Sequence, residues 1–434
     1  MQRHSYCIAK CVSAYAVAVL KNGFLSRQVS SRRFIHLSGV ARTMSASATD
    51  GCEKSAVEND TTDAQFTPKR VLLLSKITRL EFERRRHPNL NESELESLLK
   101  NRGSDYAGLL QKHNHHLGFL DTINGEFSRA GIETRVVKRF NYTDEAIDWA
   151  DAVFSAGGDG TFLLAASKIK SRDKPVIGIN TDPTGSEGHM CLTRKKPVEA
   201  FAEALQRLLN GRFQWLWRQR IRISLVNGRL DDPVELHDQE LHVDIDEVSD
   251  RKRNTIQSSD HRYPLLALNE VFIGESQSSR VSYYEIQFDS QPMIKQKSSG
   301  FTICTGTGST SWHFNINKLT NQCVSELLSI LNDSFNSEVD PTKENIQNIV
   351  DQFNRRLVFE PDCKKMAYSV RDVIWNATFP RVPPRGFAQR IRVKSRCFDA
   401  NLVIDGGISY KFNDGMEAVL EMHPEDALRT VILD

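Results

Sequence analysis

The chain has 434 residues, 39% of them hydrophobic, a formal net charge of +2 and 8 cysteines, with a mean hydropathy of −0.43. That length accommodates two domains, each with a core of its own. The near-neutral charge argues against a nucleic-acid partner, and no apolar run approaches the ~18 residues of a membrane-spanning helix. The cysteines are scattered without a Cys-x-x-Cys pair, which speaks against a zinc site or a disulfide framework.

The first segment reads as an address. No Asp or Glu precedes Asp50, while Arg3, Lys10, Lys21, Arg27, Arg32, Arg33 and Arg42 recur among Ser, Ala and Val. That is the composition of a mitochondrial import leader. The apolar patch at 15–20 is short for a secretory core and is followed by more arginine. Arg33-Phe34-Ile35-His36-Leu37-Ser38 resembles a two-step processing site, with cuts after Phe34 and near Arg42. Residues 1–65 are therefore expected to be a transit peptide and disordered leader directing the chain to the mitochondrial matrix.

From there to 212 the pattern alternates strand and helix. A buried strand at Arg70–Ser75 is followed by a polar helical stretch containing Leu95, Leu98 and Leu99, with Asn91 and Glu94 spaced as a capping box. Leu109, Leu110, Leu117, Leu120 and Ile123 predict a long helix over 104–130, stopped by Gly131 and leading into a strand at 132–137. His113, His115 and His116 on that helix are expected to be solvated side chains. Thr143 opens a short helix, Ala152–Ala156 is an apolar strand, and 175–180 another. A helix over 197–210 closes at Gly211. Such β-α-β-α-β alternation demands a parallel, doubly wound sheet whose ligands sit beyond the carboxyl ends of its strands.

The string Gly157-Gly158-Asp159-Gly160-Thr161 stands at one such end, where Phe162-Leu163-Leu164 resumes as helix. Glycines admit a close anion, and a helix start offers unpaired amides and partial positive charge. Phosphate is expected on the amides of Gly157, Gly158, Gly160 and Thr161. A carboxylate beside phosphate is repelled unless it binds a cation or takes a proton from a nucleophilic hydroxyl, so Asp159 is the candidate general base. An isolated Gly-Gly-x-Gly also fits an ordinary strand-to-helix turn; the full string does not read that way. The lysine-bearing phosphate loop is absent, since Gly306 and Gly308 are not followed by lysine.

After 212 strands dominate, at 220–225, 265–273, 281–288, 301–304, 391–393, 402–404 and 418–420, predicting an all-β second domain over 213–434. Two polar inserts interrupt it: 227–263, and 318–359, which reads as two helices broken at Pro341. Asn269 and Glu270 set an amide beside a carboxylate, suited to vicinal ribose hydroxyls or to an edge turn. Thr305, Thr307, Gly308, Ser309 and Thr310 supply hydroxyls and glycine for a diphosphate, and Trp312 a face for a base.

The ordered set of Gly-Gly-Asp-Gly-Thr, Asn269-Glu270 and the 305–310 loop resembles the NAD kinase family, over about residues 71–421. Gly178-Ile179-Asn180 is similar to the family's Gly-x-Asn strand end, bringing Asn180 into the site, and Asp405-Gly406-Gly407 to its C-terminal Asp-Gly turn. The chain departs from the pattern at Gly306, Ser311, Trp312 and Ser299. The resemblance, closest to the mitochondrial branch, implies an α/β plus all-β chain. Its parts are a Rossmann-like doubly wound N-terminal domain (66–212) and a C-terminal β-sandwich domain, as in NAD kinases and diacylglycerol kinases. It implies ATP, Mg²⁺ and NAD in, NADP out, no metal held by the chain's own residues, no membrane partner, and a homo-oligomer, specifically a homodimer. NADH as acceptor and polyphosphate as donor stay open. A lipid kinase of the diacylglycerol or sphingosine kind shares the glycine string, and a non-catalytic dinucleotide-binding protein is the other alternative.

Overall fold

The computed structural model describes residues 66–197, 199–227, 233–236, 264–335, 340–376, 379 and 383–433. The proposed leader and most of the first insert lie outside the described residues. Strands β1 (Arg70–Ser75), β2 (Glu133–Val137), β3 (Ala152–Ala156) and β4 (Val176–Ile179) pair in parallel in the order β2-β1-β3-β4. Val71 and Leu73 face one core, with Phe127, Phe154 and Phe201. Leu72 and Leu74 face another, with Val153, Phe162 and Ala165. Burial on both faces requires helices on both sides, which is why these strands read as unbroken apolar runs.

The helices are α1 (Arg79–Arg86), α2 (Glu92–Asn101), α3 (Tyr106–Arg129), α4 (Asp144–Trp149), α5 (Asp159–Ser167) and α6 (Ala200–Leu209). Phe127 of α3 and Phe201 of α6 cover the first face; Ile147 of α4 and Phe162 of α5 cover the second. The polar stretch after β1 proves to be two helices, each opened by a reciprocal capping box, Thr78 with Glu81 and Asn91 with Glu94.

The remaining strands are β5 (Gln214–Arg218), β6 (Ile221–Asn227), β7 (Val234–Glu235), β8 (Leu265–Ala267), β9 (Glu270–Glu275), β10 (Ser282–Phe288), β11 (Ile294–Ser298), β12 (Gly300–Cys304), β13 (Met366–Arg371), β14 (Arg385–Ala388), β15 (Arg390–Ser395), β16 (Ala400–Ile404), β17 (Ile408–Lys411), β18 (Glu417–Met422) and β19 (Leu428–Ile432). Two antiparallel sheets form, in the orders β11-β10-β15-β18-β6-β8 and β14-β13-β12-β9-β16-β17-β7. Ile223, Ile286, Val393 and Leu420 of the first share a core with Val271, Ile273, Phe301 and Leu402 of the second. That shared core is the β-sandwich.

The single strand expected over 265–273 is broken at Leu268 and Asn269 into β8 and β9, which belong to different sheets. Strands β5 and β19 pair with each other, and Val431 of β19 packs with Ile177 and Ile179 beneath the parallel sheet. A short helix, α7, follows the 305–310 loop at Trp312–Asn317. Residues Asn317–Val358 cluster as a separate compact unit. In it α8 (Asn321–Phe335) and α9 (Lys343–Arg355) pack Val324, Leu328, Ile346 and Val350 together, the two helices expected on either side of Pro341.

The histidines of α3 depart from expectation. His115 is exposed, but His113 and His116 are buried. His116 bridges the hydroxyls of Ser75 at 2.9 Å and Thr181 at 3.0 Å, joining the ends of β1 and β4. Burial, reinforced by the Lys76 charge, depresses its pKa to about 4. The folded state thus holds His116 neutral, while the unfolded chain takes up a proton below about 6.5. This residue's contribution to stability is therefore present above about pH 6.5 and lost as pH falls toward about 4. Thermal unfolding should show His116→Phe destabilised by about 1–3 kcal/mol at neutral pH, the cost of leaving the Thr181 hydroxyl without its partner while Ser75 keeps the Lys76 carbonyl, with a shallower acid decline than the parent.

Candidate active site

The glycine string follows β3, with Gly158 as the N-cap of α5 and Asp159 as its first residue. A Cβ on Gly157 would stand 2.2 Å from the Thr161 hydroxyl and 2.8 Å from its Cβ, and one on Gly158 2.6 Å from the Ser186 hydroxyl, so a side chain at either position would force its neighbour to move. Gly160 is different: nothing lies within 4 Å of its would-be Cβ. The amide of Gly157 is already bonded to the Ile179 carbonyl at 2.9 Å and that of Thr161 to Gly158 at 3.0 Å. These two therefore shape the turn and are not open donors as expected. The amides of Gly158 and Gly160 have no acceptor among the described residues.

Both carboxylate oxygens of Asp159 are fixed. Oδ1 accepts the Met190 amide at 2.8 Å and Oδ2 the His189 amide at 3.1 Å, leaving further lone pairs for a ligand. Those amides are placed by the loop after β4. There Asn180 Nδ2 donates to the Ser186 carbonyl and Asn180 Oδ1 accepts the Asp182 amide. Gly188, at φ +63°, passes so close that a Cβ would meet Asn180 Nδ2 at 2.7 Å. Buried Asn180 is thus a brace for the loop that aims Asp159. Across the crevice Lys76, directly after β1, meets Asp182 at 3.5 Å. Lys76 escaped the sequence reading, although the carboxyl end of a parallel strand is where such a cation is expected.

The second motif lies at the break between β8 and β9. Leu268 packs in the same core as Phe162 of α5, which brings Asn269 and Glu270 up to the glycine string. Asp405, at φ +49°, accepts the amides of Leu268 (2.8 Å), Asn269 (2.7 Å) and Glu270 (3.0 Å) on its carboxylate. Asn269 Nδ2 donates to Ser311 at 3.0 Å, while Asn269 Oδ1 and Glu270 Oε2 are buried acceptors with no donor. Burial, with the nearby charge of Asp405, pushes the Glu270 carboxyl up to about 8.

The 305–310 loop turns its hydroxyls inward. Thr305 donates to the Leu268 carbonyl and accepts the Gly308 amide; Ser309 donates to the Gly306 carbonyl and accepts the Phe359 amide. These groups build the loop and are already paired, in contrast to the diphosphate contacts expected of them. A Cβ on Gly308 would stand 2.2 Å from the Asn269 carbonyl, and one on Gly306 1.8 Å from that of Glu360. The departure at Gly306 therefore goes with the close passage of the returning chain. Thr307 accepts from Arg218 at 3.2 Å, Thr310 is half-buried, and Trp312 is 40% exposed with Phe272 at 5.1 Å and Arg371 at 5.4 Å from its ring. Arg218 also escaped the sequence reading; its signal is a lone cation closing the apolar strand Trp215-Leu216-Trp217.

With this geometry in view, residues 103–213 match the model of the ATP-NAD kinase N-terminal domain. The chain is 46% identical over 382 residues to a rat protein named NAD kinase 2, mitochondrial, covering 86% of this chain and 89% of the relative. It is 45% identical over 383 residues to the human protein of that name, with 86% of each covered. A solved NAD kinase from Archaeoglobus fulgidus in complex with ATP aligns over 84% of this chain and 93% of its own, at 15% identity and a TM-score of 0.45. The chain belongs to the NAD kinase family.

The state of Glu270 gives a measurable consequence. Its folded pKa lies above its unfolded one, so its contribution to stability is present below about pH 4.5 and lost as pH rises toward about 8. In the ligand-free protein Glu270→Gln should remove that alkaline decline and raise the melting temperature most above about pH 8, where the parent must bury a charge.

Proposed function

We propose that this site phosphorylates the 2′-hydroxyl of the adenosine ribose of NAD, with ATP as donor, to give NADP and ADP. The observation that carries the reading is the pair of buried oxygens without partners, Asn269 Oδ1 and Glu270 Oε2. An unpaired buried polar atom costs about 1–3 kcal/mol, and vicinal ribose hydroxyls are groups that could pair with both. Asn269 and Glu270 orient the ribose so that its 2′-hydroxyl meets Asp159. Asp159 takes the hydroxyl proton as the oxygen attacks the γ-phosphorus of ATP in line; the new O–P bond forms as the bond to the β-phosphate oxygen breaks and leaves with ADP. The amides of Gly158 and Gly160 hold phosphate at the start of α5.

Among the described residues no group of three or more His, Cys, Asp or Glu is placed to hold a metal ion. A magnesium ion carried on the nucleotide's phosphates would have Asp159 as the carboxylate at the glycine turn and would supply charge neutralisation there. No described helix is long and apolar enough to cross a membrane. The names of the mitochondrial relatives support a mitochondrial protein; the matrix as its compartment and a homodimer as its assembly complete the proposal.

Asp159→Asn should leave the fold and NAD binding intact and lower kcat by about 10²-fold or more, measured by transfer from ATP to NAD. Parent-like turnover would remove Asp159 from the mechanism. Glu270→Gln should raise the KM for NAD more than that for ATP; the reverse pattern would move Glu270 to the nucleotide. Residues 1–42 fused to a fluorescent reporter should carry it into the mitochondrial matrix, and a reporter that stays cytosolic would refute the address.

A further inference from the structure

Arg218, which closes β5, and Arg220, just after it, are both buried and each leaves one nitrogen without a partner, Arg218 Nε and Arg220 Nη2, but the rest of each group is bonded differently. Arg220 Nε donates to the Asp426 carbonyl and its Nη1 to the Ile169 carbonyl at 2.7 Å, tying the chain just after α5 to the turn before β19. Its place is structural. Arg218, only 8% exposed, makes one hydrogen bond, to the neutral hydroxyl of Thr307 at 3.2 Å, and its Nε has no partner. No carboxylate among the described residues lies within ion-pair distance of it. Burial weighs most heavily against its charge, Asp159 acts on it favourably and Arg194 opposes it. Its guanidinium carbon lies 5.9 Å from the ring centre of Phe162, inside the glycine-string helix.

A guanidinium out of water with one neutral partner is costly, and such a group is retained where an anion completes it. The anion must fit between Thr307 of the dinucleotide loop and the α5 turn that carries Asp159. Resting on the phosphoryl-transfer reading above, we propose that Arg218 is a catalytic residue that grips the phosphoryl group in flight. It donates to the equatorial oxygens as charge builds on them while Asp159 removes the proton of the attacking hydroxyl. A planar fork suits a phosphate's paired oxygens, which an ammonium does not reproduce.

The test compares the full chain with Arg218→Met and Arg218→Lys, measuring kcat, the KM values for NAD and ATP, and ligand-free melting temperature. Arg218→Met should lower kcat by about 10²-fold or more, the usual scale for losing one such donor, and shift the KM for NAD by no more than a few-fold. Its ligand-free melting temperature should be equal to or above the parent's, because an uncompensated charge has gone. Arg218→Lys should recover only part of the rate. Near-parent kcat in either variant overturns the proposal, as does a raised KM for NAD at unchanged kcat, which would place Arg218 on the dinucleotide. A lower melting temperature in both variants would make it a structural cation and also overturns it. Inorganic pyrophosphate gives a reading independent of turnover: it should raise the melting temperature of the parent and not of Arg218→Met. If the parent failed to phosphorylate NAD the functional reading would fall, while the pyrophosphate shift would still decide whether Arg218 binds phosphate.

Discussion

The carboxylate of Asp405 accepts three consecutive backbone amides, and the acceptor side of the site depends on that contact. Where β8 ends and β9 begins the chain changes sheets, so the amides of Leu268, Asn269 and Glu270 have no regular ladder at that point. A buried amide must be paired, and one side chain supplies all three acceptors. The same few residues receive the Thr305 amide on the Asn269 carbonyl and pack Leu268 against Phe162. One carboxylate thereby holds the second motif to the third and to the helix of the first. The left-handed backbone of Asp405 and Gly406, at φ +49° and +65°, is what lets the strand end turn its side chain inward.

Around that contact the protein carries groups that are poorly satisfied on their own. Glu270 is held in its neutral form by burial, Asn269 Oδ1 lacks a donor, and Arg218 lacks an acceptor charge. In the proposed reading the oxygens of Asn269 and Glu270 meet ribose hydroxyls and the Arg218 cation meets phosphate. Such groups cost folding energy in the empty protein and are completed by the ligand, which is how a fixed site favours one substrate over others. Asp159, the proposed general base, is by contrast already held by two backbone amides.

Much of this was legible in the sequence because it is local. The unbroken apolar strands, the capping box at Asn91 and Glu94, Gly131 and Gly211 at φ +72°, and the glycine string at a strand end each follow from short-range rules. The misread histidines were legible too. Buried positions His113, His116, Leu120, Ile123 and Phe127 fall at spacings of three and four, one stripe of α3, which outweighed their polar identity. What the sequence hid are the long-range pairings. Strand β5 finds its partner in β19, some two hundred residues away, and Arg218 meets Thr307, 89 positions on, neither of which short-range rules reveal. The inward hydroxyls of Thr305 and Ser309 were hidden for the same reason, since their partners Leu268 and Phe359 come from distant segments.

The central claim is that one phosphoryl group passes from ATP to a single hydroxyl chosen by Asn269, Glu270 and Asp159. Incubating the full chain with γ-labelled ATP and NAD, then locating the label by phosphorus NMR and mass spectrometry, tests it most directly. The account predicts stoichiometric ADP and a phosphate on the adenosine ribose 2′-oxygen alone. Label on another hydroxyl, or transfer to diacylglycerol or sphingosine with NAD untouched, would contradict it.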